Sequence, residues 1–226
     1  MRIGIRSSVS WLLLRPTART IRFSPLAVGV PVGFLIVWSG MRHGGDASVM
    51  HLPVAGGLIA AWAGFLLDDA AAETVAGAPT TLVARRVVRI VLAIPAMALA
   101  WAAFVVYADA TGNALTLSAA LTAQIVVALG FAAVGTGRAG TGRGGPLAIA
   151  GLFLVFVVLP LLFKVPLTLN PDVDSWHHLY GQWLWIGAAG LIVFRVASAD
   201  PGRRGPIAWL RSTRARPAVG APEAAS

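Results

Sequence analysis

The chain has 226 residues, of which 57% are hydrophobic and 12% are charged. Soluble domains usually carry about a quarter charged residues, so this composition argues against a water-soluble fold. The formal net charge of +9 comes almost entirely from arginine, with Lys164 the only lysine. Because the arginines separate apolar segments instead of forming a basic soluble face, nucleic acid is not an expected partner. The absence of cysteine excludes disulfides and thiolate metal sites.

The first 22 residues predict a helix that lies on the membrane surface. Trp11 to Leu14 form an apolar stretch, shorter than the roughly 7 to 15 residues of a signal-peptide core. Arginines follow it at 15, 19 and 22, with Ile21 and Phe23 continuing the apolar side. This alternation is typical of an amphipathic interfacial helix, and we expect it on the cytoplasmic side in contact with membrane lipids.

Charged residues separate six apolar segments further along the chain. At about 1.5 Å per residue, such segments are long enough to cross a hydrocarbon core of about 30 Å. The predicted fold is therefore all-α, a polytopic bundle of six transmembrane helices over residues 23–197. The six predicted spans are 23–41, 49–67, 90–108, 115–134, 146–163 and 181–194.

The arginines also predict the orientation of these spans, because arginine and lysine are retained in cytoplasmic loops. With the N-terminus inside, the arginines in 2–22, 85–89, 138–143 and 195–216 are all cytoplasmic, and only Arg42 and Lys164 lie outside. One span more or fewer would remove this asymmetry. Both termini are therefore expected in the cytoplasm, with 198–226 as a partly disordered tail.

The longest cytoplasmic loop, Asp68 to Arg89, begins acidic and ends basic. Its carboxylates are expected in the first turns of short helices, near the positive helix end. Gly77 and Pro79 break these helices, and Thr80-Thr81 offers an N-cap for a helix that carries the arginines into the third span. The pattern predicts a structured hairpin instead of a slack linker.

Two motifs resemble binding sites, but each has a simpler interpretation. Gly135 to Gly140 matches G-x-G-x-x-G, but a phosphate loop must follow a strand and open a helix, and a P-loop needs a lysine that is missing here. We interpret it as a turn. Asp172, Asp174, His177 and His178 precede the last span and offer metal-ligand chemistry, but adjacent histidines rarely face one ion. A solvated outer loop, or a segment 165–180 that dips into the outer leaflet, explains them better.

Ionisable groups within the predicted spans are scarce. His51 and Gln124 do not form a nucleophile, base and acid arrangement, so no catalytic residue and no metal ligand is predicted. The same scarcity argues against an ion-coupled pump. Any transport by this chain would need an external energy source.

The loop segment LLDDAAAETVA from Leu66 to Ala76, followed by Pro79-Thr80 and Arg85-Arg86, resembles the membrane subunits of ABC-2-type transporters from high-G+C bacteria. The interfacial helix, the six spans and a helical loop between the second and third spans are similar to that family as well. The resemblance implies that the loop is a coupling helix for a separate ATPase subunit. The implied contact residues are Asp68, Asp69, Glu73, Thr74, Pro79, Arg85 and Arg86.

The resemblance also implies the partners and the location. Two soluble ATPase subunits would supply ATP and Mg²⁺ chemistry, since this chain holds no cofactor of its own, and a second membrane subunit, identical or homologous, would complete the complex in the bacterial plasma membrane. The implied role is export of an amphipathic or hydrophobic compound, such as an antibiotic or a lipid-like molecule, and the substrate-binding residues stay unknown. Two alternatives remain open: a non-transporting membrane scaffold, or an intramembrane enzyme acting on lipid through His51 or His177-His178.

Overall fold

A computed structural model of the chain describes residues 21–42, 51–68, 82–139, 144–163 and 176–198. All regular structure in these ranges is helical, which confirms the predicted all-α class. The predicted interfacial helix (1–22, apart from its last two residues) and the predicted tail (from 199 onward) lie outside them. The helices are α1 (Ser24–Arg42), α2 (His51–Phe65), α3 (Leu82–Tyr107), a 3₁₀ turn (Thr111–Asn113), α4 (Ala114–Ala139), α5 (Gly145–Phe153), a π turn (Leu154–Val158), α6 (Leu159–Phe163) and α7 (Trp176–Ser198).

Each of the six predicted segments is helical over most of its described length, but the helix ends differ from the predicted ones. Four helical stretches are long and apolar enough to cross a membrane, and α2, with 15 residues, is shorter. The helix α3 begins at Leu82, directly after Thr80-Thr81 in the sequence, so one helix carries the arginines into the apolar segment as predicted, although the span itself was predicted only from residue 90. The helix α7 is longer than the predicted 181–194. These helices and the composition make the chain a membrane protein.

The long helices alternate in direction along the chain, but some that pack together are parallel. Gly29 lies against Leu58 and Gly40 against His51, so α1 and α2 run antiparallel. The helix α4 runs parallel to α7, because Gly187 lies against Ala123 and Gly190 against Val127. By the same reasoning α2, α4 and α7 share one direction, and α1, α3 and α5 share the other. The N-terminal end of α1 and the C-terminal end of α7 consequently lie at one end of the bundle.

The helix α4 is the centre of the bundle. Of its span residues 61% are buried, against 28% for α3 and 17% for α1. It packs on α2, α5 and most extensively on α7. Small residues allow this, because alanine and glycine let two helix backbones approach closely without the large side chains that would otherwise separate them.

Trp62 fixes the start of α1 against α2. Its side chain is buried, and Nε1 donates a hydrogen bond of 2.9 Å to the carbonyl of Arg22, one of the groups that precede the first helical turn. Phe23 packs against the same indole, with ring centroids 5.7 Å apart. The tryptophan therefore holds the chain where it enters the bundle.

We expect Trp62→Phe to keep the ring packing and to lose the hydrogen bond, with a cost of about 0.5–1.5 kcal/mol in unfolding free energy. The measurement is denaturation of the purified protein in detergent, with Trp183→Phe as a matched control. Trp183 is also buried and stacks on Phe156. An unchanged stability in Trp62→Phe would show that the indole N–H contributes nothing.

A π turn interrupts the helical segment from Gly145 to Phe163. The N–H of Leu159 donates to the carbonyl of Leu154, five residues earlier, where an α-helix would use a spacing of four. Pro160 follows directly and has no backbone N–H to donate. The wide turn therefore lies where the proline already breaks the hydrogen-bond ladder, and beyond it Pro160 is buried while Leu161 and Leu162 are exposed.

Candidate functional site at the arginine-rich end

One end of the bundle collects the arginines whose side chains the structure describes, apart from Arg42. Arg22, Arg86, Arg89 and Arg195 lie there, at the start of α1 and α3 and the end of α7. We call this the arginine-rich end. Arg42 lies at the opposite end, where its guanidinium stacks over the Trp38 ring at 4.5 Å. The predicted asymmetry of positive charge along the sequence is thus an asymmetry between the two ends of the described bundle.

Asp68 caps the N-terminus of α5 at this end. It follows the last turn of α2, and its Oδ1 accepts hydrogen bonds from the backbone N–H of Gly144 and, at 3.1 Å, from that of Gly145. Gly144 is the N-cap residue of α5 and has no side chain to perform this role itself. A carboxylate here satisfies unpaired N–H groups and complements the positive end of the helix dipole.

Arg86 joins three helices from its position near the start of α3. One terminal nitrogen donates to Ser198 Oγ on α7 at 2.9 Å, and the other donates to Thr136 Oγ1 on α4. The Thr136 hydroxyl in turn is within hydrogen-bonding distance of the carbonyls of Ala132 and Ala133 on its own helix. Its proton is therefore directed to α4, which leaves the oxygen lone pairs for the guanidinium.

Arg89 lies one turn after Arg86 on α3 and donates a long hydrogen bond of 3.4 Å to the carbonyl of Asp68. We call Asp68, Arg86, Arg89, Thr136 and Ser198 the polar cluster. Both arginines are buried, at 6% and 9% exposure. Burying a charge is costly unless hydrogen bonds compensate it, and hydrogen bonds to charged groups contribute about 1.5–3 kcal/mol each. The arginines therefore do more than mark the orientation of the chain.

The structure brings two of the predicted site residues, Asp68 and Arg86, into one cluster. It places Arg85 in α3 without describing its side chain. Asp68 was predicted in the first turn of a short helix within the loop; it is instead non-helical and contacts the N-terminus of α5, a helix outside the loop. The remaining predicted contact residues lie outside the described residues: Asp69, Glu73, Thr74 and Pro79.

Sequence reasoning missed three members of the cluster as site residues. Arg89 had a signal, because residues three apart on a helix share a face, and Arg86 was already a candidate. Thr136 was hidden inside the glycine motif. That motif ends α4, with residues 135–139 helical, so its helical geometry differs from that of a phosphate loop. Ser198 ends the last helix and carries no signal of its own.

The structure describes only part of the other candidate chemistry. Asp172 and Asp174 lie outside the described residues, as do the side chains of His177 and His178. Within the described part of the chain, no group of three potential metal ligands comes together. His51 lies near the opposite end, where its buried Nδ1 faces Gly40. Gln124 donates from Nε2 to the carbonyl of Pro53 at 3.1 Å, which joins α4 to α2.

Comparison of the chain with models of protein families, with curated proteins and with solved structures gives no match. The polar cluster and the chemistry of the sequence are therefore the features that bear on function.

Proposed function

We propose that this chain is the membrane subunit of an ABC-2-type exporter in a bacterial plasma membrane, driven by a separate ATPase. In this proposal six helices span the membrane, both termini are cytoplasmic, and residues 68–89 form the coupling loop. The observation that carries the proposal is the polar cluster. Both ends of that loop are bound by hydrogen bonds to helices other than their own.

A coupling loop must pass a displacement to the bundle. The contact of Asp68 with the first N–H groups of α5 and the contacts of Arg86 with α4 and α7 give this loop attachment to three further helices. A displacement of the loop would therefore move α2 and α3 and, through the cluster, the rest of the bundle. A flexible loop without such contacts would not transmit the same displacement.

The arginine distribution indicates on which side of the membrane the partner would bind. Arginine-rich loops are retained in the cytoplasm, so the arginine-rich end faces the compartment that holds ATP. The partner would be a pair of soluble ATPase subunits with bound ATP and Mg²⁺. The chain would pair with a second membrane subunit, identical or homologous. Spans rich in apolar residues and poor in charges suit an amphipathic or hydrophobic cargo.

The test is purification of the tagged chain in mild detergent from its native host, followed by ATPase measurement in lipid nanodiscs. We expect a soluble protein with Walker A and B motifs to copurify. Glu73→Lys and Asp69→Lys, singly and together, should weaken this association at least tenfold, because charge reversal opposes the contacts of a coupling loop. Asp109→Lys is the matched control, since it makes the same change in the turn after α3, at the opposite end.

Two results would contradict the proposal. One is copurification of no ATPase. The other is an ATPase whose association and activity are the same in the Glu73→Lys and Asp109→Lys variants. Recovery of a stable partner that lacks Walker motifs would instead favour the scaffold hypothesis.

A further inference from the structure

The helix α3 packs against little of the bundle along its length. It packs on α1 and α2 and makes little contact with α4 or α7. One of its faces is exposed, with Val87, Val91, Ile94 and Leu99 at 44% exposure or more. The α5 span has the same buried share of 28%, but it lies close against α2 and α4. The helix α3 therefore depends on contacts near its two ends.

The end of α3 away from the arginine-rich end, called its outer end, is held by large aromatic side chains, and the end at the arginine-rich end is called its inner end. Phe104 is fully buried, and its ring meets Phe34 edge to face at 4.9 Å. Trp101 donates from Nε1 to Ser118 Oγ at 3.0 Å. Contacts of this kind combine buried area with a satisfied polar group and do not separate easily. They anchor α3 to α1 and α4.

The inner end of α3 is held differently. Arg86 bridges to Thr136 and Ser198 through its long side chain, while the helix itself stays out of close packing with α4 and α7. Water can replace such hydrogen bonds when they break, so their net contribution is modest, whereas opening an apolar interface exposes apolar area to no compensating contact. This end of the helix is therefore held by polar contacts instead of close apolar packing.

Pro95 lies midway between these two attachments. A proline within a helix cannot donate to the carbonyl four residues earlier, here that of Val91, and such positions are the usual sites of helix bending. The residues around it that face the bundle are mostly small or flexible, such as Ala93 and Met97. The helix thus has a weak point between a firm outer end and a polar inner end.

We propose that α3 is a lever hinged at Pro95, and that Arg86 is the contact that keeps it closed. When Arg86 leaves Thr136 and Ser198, the inner half of α3 swings away from α4 and α7 while the outer half stays in place. That the coupling loop drives this swing rests on the proposed function. The hinge and its closing contact belong to the chain alone, so they are testable without an ATPase.

The absence of cysteine makes spin labelling straightforward. An inner label pair, Val87→Cys with Val196→Cys, and an outer pair, Val106→Cys with Leu184→Cys, report the distance between α3 and α7 by pulsed electron paramagnetic resonance in nanodiscs. In Arg86→Gln we expect the inner distance to lengthen by about 5 Å, the scale of a one-turn helix displacement, and the outer distance to stay unchanged. Arg195→Gln removes the same charge from an exposed site and should change neither distance.

Two further variants keep the test decisive if Arg86→Gln does not fold. The double variant Thr136→Val and Ser198→Ala removes the acceptors but retains the arginine, and it should lengthen the inner distance as well. Adding Pro95→Ala should reduce that lengthening, because it restores the missing backbone donor. An inner distance that stays at its wild-type value in the variants that fold would overturn the proposal, as would inner and outer distances that lengthen together. A failed lever leaves the ATPase association intact, so the two proposals fail separately.

Discussion

Replacing Gly130 or Gly190 by alanine is expected to destabilise the protein by about 1–3 kcal/mol. The two glycines lie where α4 and α7 are closest. A Cβ on Gly130 would lie 2.9 Å from the carbonyl oxygen of Gly190, and a Cβ on Gly190 would lie 3.0 Å from the backbone nitrogen of Val127. Both neighbours are backbone atoms, which cannot rotate out of the way as a side chain does.

The clash requires α4 and α7 to move apart, which loosens the most extensive interface of the described bundle. The expected result is a lower melting temperature in detergent and a lower free energy of unfolding in a denaturant titration. Gly57→Ala is the matched control, because its Cβ would meet nothing within 4 Å. Alanine is the better helix former, so this control should be neutral or gain about 0.5–1 kcal/mol. Equal stability of all three variants would refute the close approach of the two helices.

Asp68→Ala should produce the second large effect. The alanine leaves the N–H groups of Gly144 and Gly145 without their acceptor and removes the negative charge from the start of α5. Loss of an N-terminal cap costs about 0.5–2 kcal/mol, and Asp68 is only partly exposed, which places the expected loss at the upper end of that range. The same denaturation assay measures it.

The chemistry of the cap predicts an order among substitutions at this position. Asparagine caps helices about as well as aspartate, so Asp68→Asn should retain most of the stability that Asp68→Ala loses. Asp68→Lys should be the least stable, since it sets a positive charge against the positive end of the helix dipole. If alanine and asparagine both retain wild-type stability, Asp68 is not a cap. A loss in asparagine as large as in alanine would assign the effect to charge alone.

The positions of the helices were predictable because charge and hydropathy are local properties of the sequence. Arg22 and Arg42 delimit the first apolar segment, and the helix found there, Ser24–Arg42, differs from the prediction by one residue at each end. The start of α3 at Leu82 agrees with the prediction that a helix begins after Thr80-Thr81 and carries the arginines toward the apolar segment. Only the apolar span was predicted too short, from residue 90, because Arg86 and Arg89 were taken as its boundary, whereas both are buried and hydrogen-bonded within the bundle.

The candidate site was predictable only in part. The acidic and basic ends of the loop marked Asp68 and Arg86, but not their partners. Asp68 contacts a residue 76 positions away, and Arg86 contacts one 112 positions away. Such pairs depend on which helices become neighbours, and no local pattern around Gly144 or Ser198 records that. Arg89 is the exception, because its spacing from Arg86 was already present in the sequence.

The π turn from Leu154 to Val158 has a consequence for how this helix tolerates changes in length. One additional residue per turn rotates all later side chains by roughly 100° about the helix axis. Pro160 is thereby turned inward, and Leu161 and Leu162, at 70% and 69% exposure, are turned toward the lipid. The turn thus acts like a single-residue insertion that the helix has absorbed. Deleting one residue between Leu154 and Val158 would restore regular α-helical geometry and leave the lipid-facing and protein-facing sides of residues 159–163 where they are, whereas the same deletion in a regular α-helix would rotate them by about 100°.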